Sequence, residues 1–504
     1  MRKLLKILCC MLLTILLVCL TTAEASQTVT AGKRTLKLVT VPMDGSCVGQ
    51  IVTADNTIHS DQPASTLINA ATKNGSTVVA AINGMFFNSY YNQKQPLSFP
   101  GNVPLILTDL VQDGRTIACG GEQNCIGFTK DGKAKIDRVN VKPEAYVNGK
   151  GPVLIWCVNS KVTNPGAVIL ITQEVTLPYT IASDATAFLI KNDTVIQQLS
   201  NTVVTLKAGQ QLLIFNSSAA VSHAGWNLLP KVGDSVTVKT KLIAQSGDDW
   251  SNMTSIAGGG RMLVHQGRVV SADATYNASL DKDPKQNATS VLQRSFAAVT
   301  SSGKLIFGTG VASFNEIASY LLTQGVTDAI SLDGGASSML YQNDAYVTSA
   351  GRELASVIVI TKPTAVATAC PTSVNGKQLS FDAYNINHNN YFKLRDFAMA
   401  INGSGKQFNV EWDKARNAIA LTSGAAYTVV GGEMAGGAQA APKSMRLNQA
   451  PIYKDDDLVP LTAYTINGNN YFKLRDLCKA FNIGVRWDST TSSVVVDTSQ
   501  AYSD

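Results

Sequence analysis

The sequence predicts a mixed α/β (α+β) main domain with a largely β insertion, followed by two small α+β repeat modules at the C-terminus. Short apolar runs of strand length dominate residues 30–362, and one well-marked amphipathic helix lies between two of them. A thirteen-residue sequence then occurs twice after residue 364. Repetition of this kind is typical of a small structural module present in two copies.

Residues 1–25 have the pattern of a secretory signal peptide. Three basic residues within residues 2–6 precede an apolar stretch that ends at Leu20, and Ala23 and Ala25 supply the small residues before the cleavage site. The apolar stretch is shorter than the roughly 20 residues that a spanning helix needs. We therefore expect cleavage after Ala25, a chain without a membrane span, and a secreted protein that is extracellular or associated with the cell wall.

The charge and the cysteines limit the possible partners and the redox chemistry. Cleavage removes three basic residues and one acidic residue, which lowers the formal charge from +6 to +4. This charge is too weak and too scattered to suggest nucleic acid as a partner. Few cysteines remain for so long a chain, so a disulfide-dense scaffold is not expected. Cys119 and Cys125 flank a Gly-Gly loop and either form a disulfide or stay free.

The best-marked helix of the main domain begins near Ser313. Ser313 and Glu316 have the spacing of a capping box, and Gly325 is a typical helix stop. Strand-like runs at 304–307 and 329–332 flank this helix. A strand, a helix and a strand in this order predict a βαβ unit, in which part of the sheet is parallel.

The second strand of that unit ends at the stretch most informative about function. Ligands bind beyond strand ends in such sheets, and glycines allow a sharp turn and close approach of a ligand to the backbone. Backbone N–H groups there would suit a phosphate or a sugar hydroxyl. A tight turn in which the carboxylate caps its own backbone explains the pattern equally well. The stretch consists of Asp333, Gly334, Gly335, Ala336, Ser337 and Ser338.

Three further stretches, taken together with this one, resemble those of a known protein family. They are Asn83 to Phe87 after an apolar run, three glycines at 258–260, and Arg294-Ser295 at the head of a strand. In this order, and with the Asp333 stretch last, they resemble the phosphodiester glycosidase family over roughly residues 83–361. A β-rich insertion at about 150–249 interrupts the resemblance. Ala336 stands where a third glycine is usual, and Ser295 where threonine is favoured.

The resemblance implies hydrolysis of sugar-1-phosphodiesters of the N-acetylglucosamine type, with no cofactor. Asp333 and Arg294 are the catalytic candidates. Asp333 would stabilise or attack the oxocarbenium-like carbon, and Arg294 would hold the phosphodiester charge unless it forms an ordinary structural ion pair. A phosphate monoester, whose second pKa is about 6, leaves without a strong general acid. The substrate-binding candidates are Asn83, Phe87, Ser295, Gly334, Gly335, Ser337 and Ser338.

The sequence does not rank a second carboxylate and does not predict a metal. Glu316 is favoured as a helix cap. The four histidines are scattered and form no ligand motif, although oxygen-only binding of calcium or magnesium stays open. The candidates for a second carboxylate are Asp248, Asp249, Glu316 and Asp328.

The tail contains the internal repeat. Residues 384–396 and 464–476 agree at eleven of thirteen positions. The tail resembles the stalk module found at the N-terminus of copper amine oxidases, here without a copper ligand set, and such modules are common on exported bacterial proteins. We divide it into repeat 1 at 364–430, a linker at 431–441 and repeat 2 at 442–504. Each repeat is expected to be a separate small domain, and a cell-wall polymer is a possible partner.

Two functions therefore remain open from the sequence. One is a secreted glycosidase that cleaves carbohydrate phosphodiesters in envelope or environmental glycans. The other is a non-catalytic glycan-binding protein of the cell envelope. The intact Asp333 stretch, with its carboxylate, glycines and hydroxyls, and Arg294 favour the enzyme.

Overall fold

The computed structural model is mostly β. Strands hold 48% of the residues and helices 12%, so the expectation of a balanced mixed α/β domain is only partly confirmed. The described residues form two compact units, the first within 24–43, 48–71 and 78–361, and the second within 44–47, 72–77 and 362–503. The structure describes residues 24–72, 76–88, 105–119, 122–160, 162, 164–368, 371–386, 389–434 and 445–503.

Nearly all of the predicted signal peptide (residues 1–23) and linker residues 435–441 lie outside the described residues. Within the described part of the chain, no helix has the length and apolar character needed to cross a membrane.

The first unit is built from antiparallel sheets with few helices. Its helices are α1 (Ala64–Ala70), α2 (Ser217–Gly225), α3 (Ala274–Asn277) and α4 (Phe314–Thr323), and its short 3-10 turns are Ala54–Asn56, Pro284–Gln286 and Gly335–Ser337. Its strands are β1 (Gln27–Ala31), β2 (Arg34–Pro42), β3 (Val48–Thr53), β4 (Thr77–Asn83), β5 (Leu110–Gln112), β6 (Arg115–Ala118), β7 (Glu122–Thr129), β8 (Ala134–Val147), β9 (Lys150–Leu154), β10 (Cys157–Val158), β11 (Val168–Ile171), β12 (Tyr179–Thr180), β13 (Thr186–Lys191), β14 (Thr194–Leu199), β15 (Val203–Val204), β16 (Gln210–Phe215), β17 (Val236–Ala244), β18 (Met253–Gly258), β19 (Met262–His265), β20 (Arg268–Val269), β21 (Leu292–Thr300), β22 (Lys304–Ala312), β23 (Val326–Leu332), β24 (Leu340–Gln342), β25 (Ala345–Thr348) and β26 (Ser356–Lys362).

Two sheets of this unit position the candidate site. Sheet A has the order β1-β2-β22-β21-β23-β19-β20, and sheet B has the order β25-β24-β4-β26-β3. Helix α4 packs on sheet A through Phe314, Ile317 and Leu321, which share a buried cluster with Phe296 and Ala298 of β21. The capping box at Ser313 and Glu316 is confirmed.

The expected parallel pairing around α4 is wrong. Strand β21 lies between β22 and β23 and runs antiparallel to both, with Ala298 opposite Ile306 on one side and Ala329 on the other. The helix therefore connects two parallel strands that are not neighbours. The apolar pattern identified the elements but carried no information about a strand from earlier in the chain inserted between them.

The remaining sheets lie in the middle of the chain. Sheet C has the order β17-β8-β7-β18-β5-β6, with β9 paired to β8. Sheet D has the order β10-β11-β16-β13-β14, and β12 pairs with β15. Strands β9 to β17 and helix α2 lie in or around the region predicted as a largely β insertion. Cys119 and Cys125 are both free thiols, so the disulfide considered from the sequence is not formed.

The second unit contains the two repeat copies. Its helices are α5 (Leu394–Ala400) and α6 (Leu474–Ala480). Its strands are β27 (Ala365–Ala367), β28 (Thr372–Val374), β29 (Lys377–Leu379), β30 (Ala383–Ile386), β31 (Asn389–Lys393), β32 (Phe408–Asp413), β33 (Ala418–Ser423), β34 (Met445–Leu447), β35 (Ile452–Lys454), β36 (Asp457–Leu458), β37 (Ala463–Ile466), β38 (Asn469–Lys473), β39 (Gly484–Asp488) and β40 (Ser493–Asp497).

The two copies share one sheet and one hydrophobic core. Strand β31 of the first copy pairs with β38 of the second, which places Phe392 opposite the equivalent Phe472. The rings of Phe408 and Phe481 stack across the copies with centroids 4.1 Å apart. The expectation of two separate small domains is therefore wrong. A copy of about 60 residues buries too little apolar surface to be stable alone with any margin.

Within the repeats, some aromatic residues are buried and others are half exposed. Tyr391 and Phe392 are buried, whereas Trp412 and the equivalent Trp487 are half exposed. Cys478 is fully buried in the shared core.

Because the two copies share a core, a substitution that destabilises one copy should also destabilise the other. Phe481→Ala removes a buried ring at the junction, and such truncations cost about 3–5 kcal/mol. We expect faster hydrogen exchange in both α5 and α6, with the amides of β21 and β23 unaffected. Trp487→Ala, at a half-exposed position of the same copy, is the control. Faster exchange confined to α6 would contradict a common core.

Candidate active site

The candidate site forms where β23 of sheet A ends. The strand is buried from Ala329 to Leu332, and Asp333 follows at its end. Gly335 then has a φ of +60°, a left-handed conformation that favours glycine. Gly334 lies so close to β21 that a Cβ atom on it would approach the Gln293 carbonyl oxygen to 2.8 Å. Both glycines are therefore required for the turn that presents Asp333.

Asn83 fixes this turn from sheet B. Its Nδ2 donates to the Asp333 carbonyl oxygen at 2.6 Å, and its Oδ1 accepts from the Met339 N–H at 3.0 Å. Asn83 is the last residue of β4 and is only 1% exposed. The structure therefore brings Asn83 and Asp333 together, as expected, but the amide is engaged with the backbone and acts as a positioning group.

Arg352 is the guanidinium that contacts the Asp333 turn. Its Nε donates to Ser337 Oγ at 2.7 Å, and its Nη2 lies 3.4 Å from Asp333 Oδ2. The guanidinium also lies over the ring of Phe87, 5.2 Å from the centroid. The Gly351 N–H donates to the Ala336 carbonyl oxygen at 2.7 Å, which holds the Arg352 loop against the turn.

The sequence analysis did not identify Arg352. The residue lies in an ordinary Gly-Arg-Glu loop between β25 and β26, and no motif spacing links it to Asp333. A single arginine before a buried apolar strand was the available signal. That signal is too common to be assigned to a site without the fold.

The carboxyl group of Asp333 lies in a poorly hydrated place. Its side chain is 13% exposed, against 27% for Arg352. Burial raises the pKa of Asp333, while hydrogen bonds from Ser337 and the Gly334 N–H and the charge of Arg352 oppose that rise, so the pKa lies above that of an ordinary aspartate. The site thus combines a carboxyl group of raised pKa with one partly accessible cation.

Arg294 has structural partners. Its backbone lies beside Gly334, but its guanidinium donates to the carbonyl oxygens of Lys285 at 2.7 Å and Ser290 at 2.9 Å. It also stacks on Phe314 with its Cζ 3.8 Å from the ring centroid. Burial and the nearby Arg261 lower the pKa of Arg294 to about 10. These contacts hold the 285–290 loop against α4 and are not directed at Asp333.

The other candidate residues differ in accessibility. Phe87 is 7% exposed and lies beneath Arg352. Ser295 and Ser338 are buried, and neither hydroxyl has a hydrogen-bond partner among the described residues. Ser337 is buried as well, but its hydroxyl is engaged by Arg352.

The four acidic residues considered as a second carboxylate have other partners. Asp248 lies 3.9 Å from the ammonium group of Lys135 and Asp249 caps the turn at Ser251. Asp328 accepts from the Gln266 N–H, and Glu316 completes the capping box of α4. Among the described residues, no group of three or more histidines, cysteines or acidic residues is arranged to hold a metal ion.

The structural contacts of Arg294 predict a stability defect when it is replaced. Arg294→Met removes two charge-assisted hydrogen bonds to backbone carbonyl groups and should lower the free energy of unfolding by about 2–3 kcal/mol. Urea unfolding of the full chain measures this change. Arg268→Met, at an exposed position on β20, should stay within about 0.5 kcal/mol of the parent. An unchanged unfolding midpoint for Arg294→Met would show that these contacts contribute little.

Comparison with known proteins finds a family similarity over most of this site. Residues 179–361, which include Arg294, Asp333, Ser337 and Arg352, match the sequence profile of the phosphodiester glycosidase family. The match begins within the region predicted as an insertion and does not extend back to Asn83. No curated protein matches the chain.

Solved structures resemble this chain at low sequence identity. A hypothetical protein from Synechocystis is 17% identical, with a TM-score of 0.51 over 67% of this chain and 61% of that chain. A putative exported protein from Burkholderia pseudomallei is 14% identical, with a TM-score of 0.50 over 65% and 74%. The catalytic domain of zebrafish N-acetylglucosamine-1-phosphodiester alpha-N-acetylglucosaminidase is 12% identical, with a TM-score of 0.36 over 68% and 84%.

The chain thus spans about three fifths of the Synechocystis protein, and the two structures with the higher scores support the fold alone. Residues 179–361 of this chain are similar to the phosphodiester glycosidase family.

Proposed function

We propose that this protein is a secreted hydrolase of sugar-1-phosphodiester linkages, of the N-acetylglucosamine-1-phosphodiester type, that acts on envelope or environmental glycans. The observation that carries the proposal is the contact of one guanidinium, Arg352, with both the buried Asp333 carboxylate and the Ser337 hydroxyl. A carboxylate beside a cation and a hydroxyl matches the charges that develop when a sugar–phosphate bond breaks. The match of residues 179–361 to the phosphodiester glycosidase profile supports the same chemistry.

The carboxylate of Asp333 is assigned to the sugar carbon. Cleavage of the C1–O bond leaves positive charge on C1 and the ring oxygen, and a nearby carboxylate stabilises or attacks that carbon. Asp333 meets this need because the surrounding protein excludes most water, which strengthens its interaction with a developing charge. Asn83 and the two glycines hold it in place.

Arg352 is assigned to the phosphodiester, in place of Arg294. A phosphodiester carries one negative charge, and a guanidinium donates two parallel hydrogen bonds to such an oxyanion. Arg352 is partly exposed and lies at the longer distance of 3.4 Å from Asp333, so it can contact an incoming phosphate without leaving Ser337. Arg294 is bound to two backbone carbonyl groups and is not free to do so.

The leaving group reduces the need for an acid. It departs as a phosphate monoester, whose second pKa is about 6, so it is a stable anion near neutral pH. Arg352 would neutralise the growing charge as the bond breaks. Water then attacks C1, its oxygen ends on the sugar, and its proton passes to solvent or to the released phosphate.

Export and the role of the tail are part of the same proposal. The basic and apolar start of the chain, with small residues before position 26, supports export through a signal peptide. The repeat unit carries half-exposed Trp412 and Trp487 at equivalent positions of its two copies. Exposed aromatic rings suit contact with a polymer, so the tail is proposed to associate with the cell wall.

The first test removes the charge of Asp333. Asp333→Asn keeps the size of the side chain but removes the charge, so a transition-state interaction is lost with little change in substrate binding. We expect kcat to fall at least about a hundredfold, which corresponds to roughly 3 kcal/mol, with KM within about threefold. Release of free sugar from the α-anomer of methyl N-acetylglucosamine-1-phosphate measures both constants.

The matched control is Asp113→Asn, an exposed aspartate with a φ of +50° in a turn, a conformation that asparagine adopts equally well. Its kinetics should equal those of the parent. A folded and fully active Asp333→Asn enzyme would remove Asp333 from the mechanism. A parent protein that binds the sugar phosphodiester and never cleaves it would instead support a glycan-binding function.

The pH profile is the second test. Because burial raises the pKa of Asp333, the ionised form is lost at a higher pH than for an ordinary aspartate, whose pKa is about 3.9. We expect kcat/KM to fall as the pH drops through this raised pKa. Ser337→Ala removes a hydrogen bond that lowers the pKa of Asp333, so its acid limb should move to higher pH. Coincident acid limbs for the two proteins would argue against Asp333 as the titrating group.

A further inference from the structure

A second pocket opens beside the site, with a volume of about 270 Å³. Gly259 and Gly260, which precede β19, form part of its wall. The Gly260 N–H donates to the carbonyl oxygen of Ser331 at 2.8 Å, two residues before Asp333. Phe86 lines the pocket, and the next residue, Phe87, lies beneath Arg352. The pocket therefore begins within one or two residues of the groups assigned to the chemistry.

Two side-chain amide oxygens in this pocket lack hydrogen-bond partners among the described residues. Asn124 is 4% exposed, and its Nδ2 donates to the carbonyl oxygens of Gly260 at 2.8 Å and Tyr276 at 3.3 Å. Its Oδ1 is buried and unpaired, as is Oε1 of Gln286. A buried acceptor without a donor is destabilising. A ligand with hydroxyl groups would satisfy both acceptors.

The rest of the lining indicates an uncharged ligand with an apolar face. Phe86, Tyr276 and Leu280 supply apolar surface. The wall contains one ion pair, since Glu122 lies 3.5 Å from the Nε of Arg138, and a further carboxylate, Asp283, which accepts from the Lys285 N–H. A few fixed polar groups among apolar walls are typical of a small-molecule site, and the volume lies near the lower end of the range for such pockets, about 300 Å³. Hydroxyl donors and an apolar ring face occur together in a pyranose.

We propose that this pocket binds the uncharged sugar ring whose C1 carries the phosphodiester, with ring hydroxyls donating to Asn124 Oδ1 and Gln286 Oε1. This inference rests on the proposed function, because it assigns the sugar to the pocket and the phosphate to Arg352. The chain links the two places, because Ser331, bonded to Gly260, lies two residues before Asp333, and Phe86 precedes Phe87. One ligand is proposed to span both. The pocket then determines which sugar is accepted, while Asp333 and Arg352 determine which bond is cleaved.

Gln286→Leu tests the pocket with little risk to folding. The side chain of Gln286 makes no hydrogen bond to the described residues, and the Arg261 Nε bonds to its backbone carbonyl oxygen, which leucine retains. The full chain is titrated by calorimetry with N-acetylglucosamine, N-acetylgalactosamine, glucose and galactose separately. We expect at least one sugar to bind. Gln286→Leu should lower the affinity for that sugar about three- to tenfold, as for loss of one neutral hydrogen bond.

Gln324→Leu is the control, because Gln324 is an exposed glutamine at the end of α4 whose side chain contacts only Thr323. It should bind sugar as the parent does. Failure of all four sugars to bind, or equal binding by the parent and Gln286→Leu, would overturn the pocket assignment. Binding that depends on Gln286 in a protein without phosphodiester hydrolysis would support the pocket and reject the proposed function. Hydrolysis whose KM does not respond to Gln286→Leu would leave the function standing and reject the pocket.

Discussion

The two hydrogen bonds of the Asn83 side chain are the constraint on which the candidate site depends. They tie the last residue of β4 in sheet B to the Asp333 carbonyl oxygen and the Met339 N–H, at the two ends of the turn that follows β23 of sheet A. A buried amide whose groups are all engaged is costly to displace. The turn is therefore held in one conformation, and Arg352 reaches it because the Gly351 N–H is bonded to the Ala336 carbonyl oxygen.

The different burial of Arg294 and Arg352 explains why the two arginines near this turn have different roles. Arg294 is the more buried of the two, and its guanidinium is fixed by carbonyl groups and by Phe314, so it maintains the wall of the first unit. Arg352 is partly exposed and bonds to one hydroxyl and one carboxylate. A cation near solvent can exchange partners when an anion arrives, whereas a buried one cannot do so without leaving polar groups unpaired. The proposed chemistry uses this difference.

Burial of apolar surface also explains the structure of the repeat unit. Each copy has one short helix and a few strands, and neither copy encloses a complete core. Pairing of β31 with β38, and stacking of Phe408 on Phe481, complete the core from both copies. Close sequence repetition favours this arrangement because equivalent residues, such as Phe392 and Phe472, meet across the shared strand pair.

Features whose cause is local could be predicted from the sequence alone. The capping box at Ser313 and the sharp turn at Gly335 depend on neighbouring residues, and a pattern of neighbours is visible in the chain. Only the tertiary structure decided that β21 separates β22 from β23, that the two repeats share a core, and that Arg352 is the cation at Asp333. These depend on contacts between residues far apart in sequence. Neither charge nor hydrophobic periodicity specifies which distant partner a strand or a guanidinium will find.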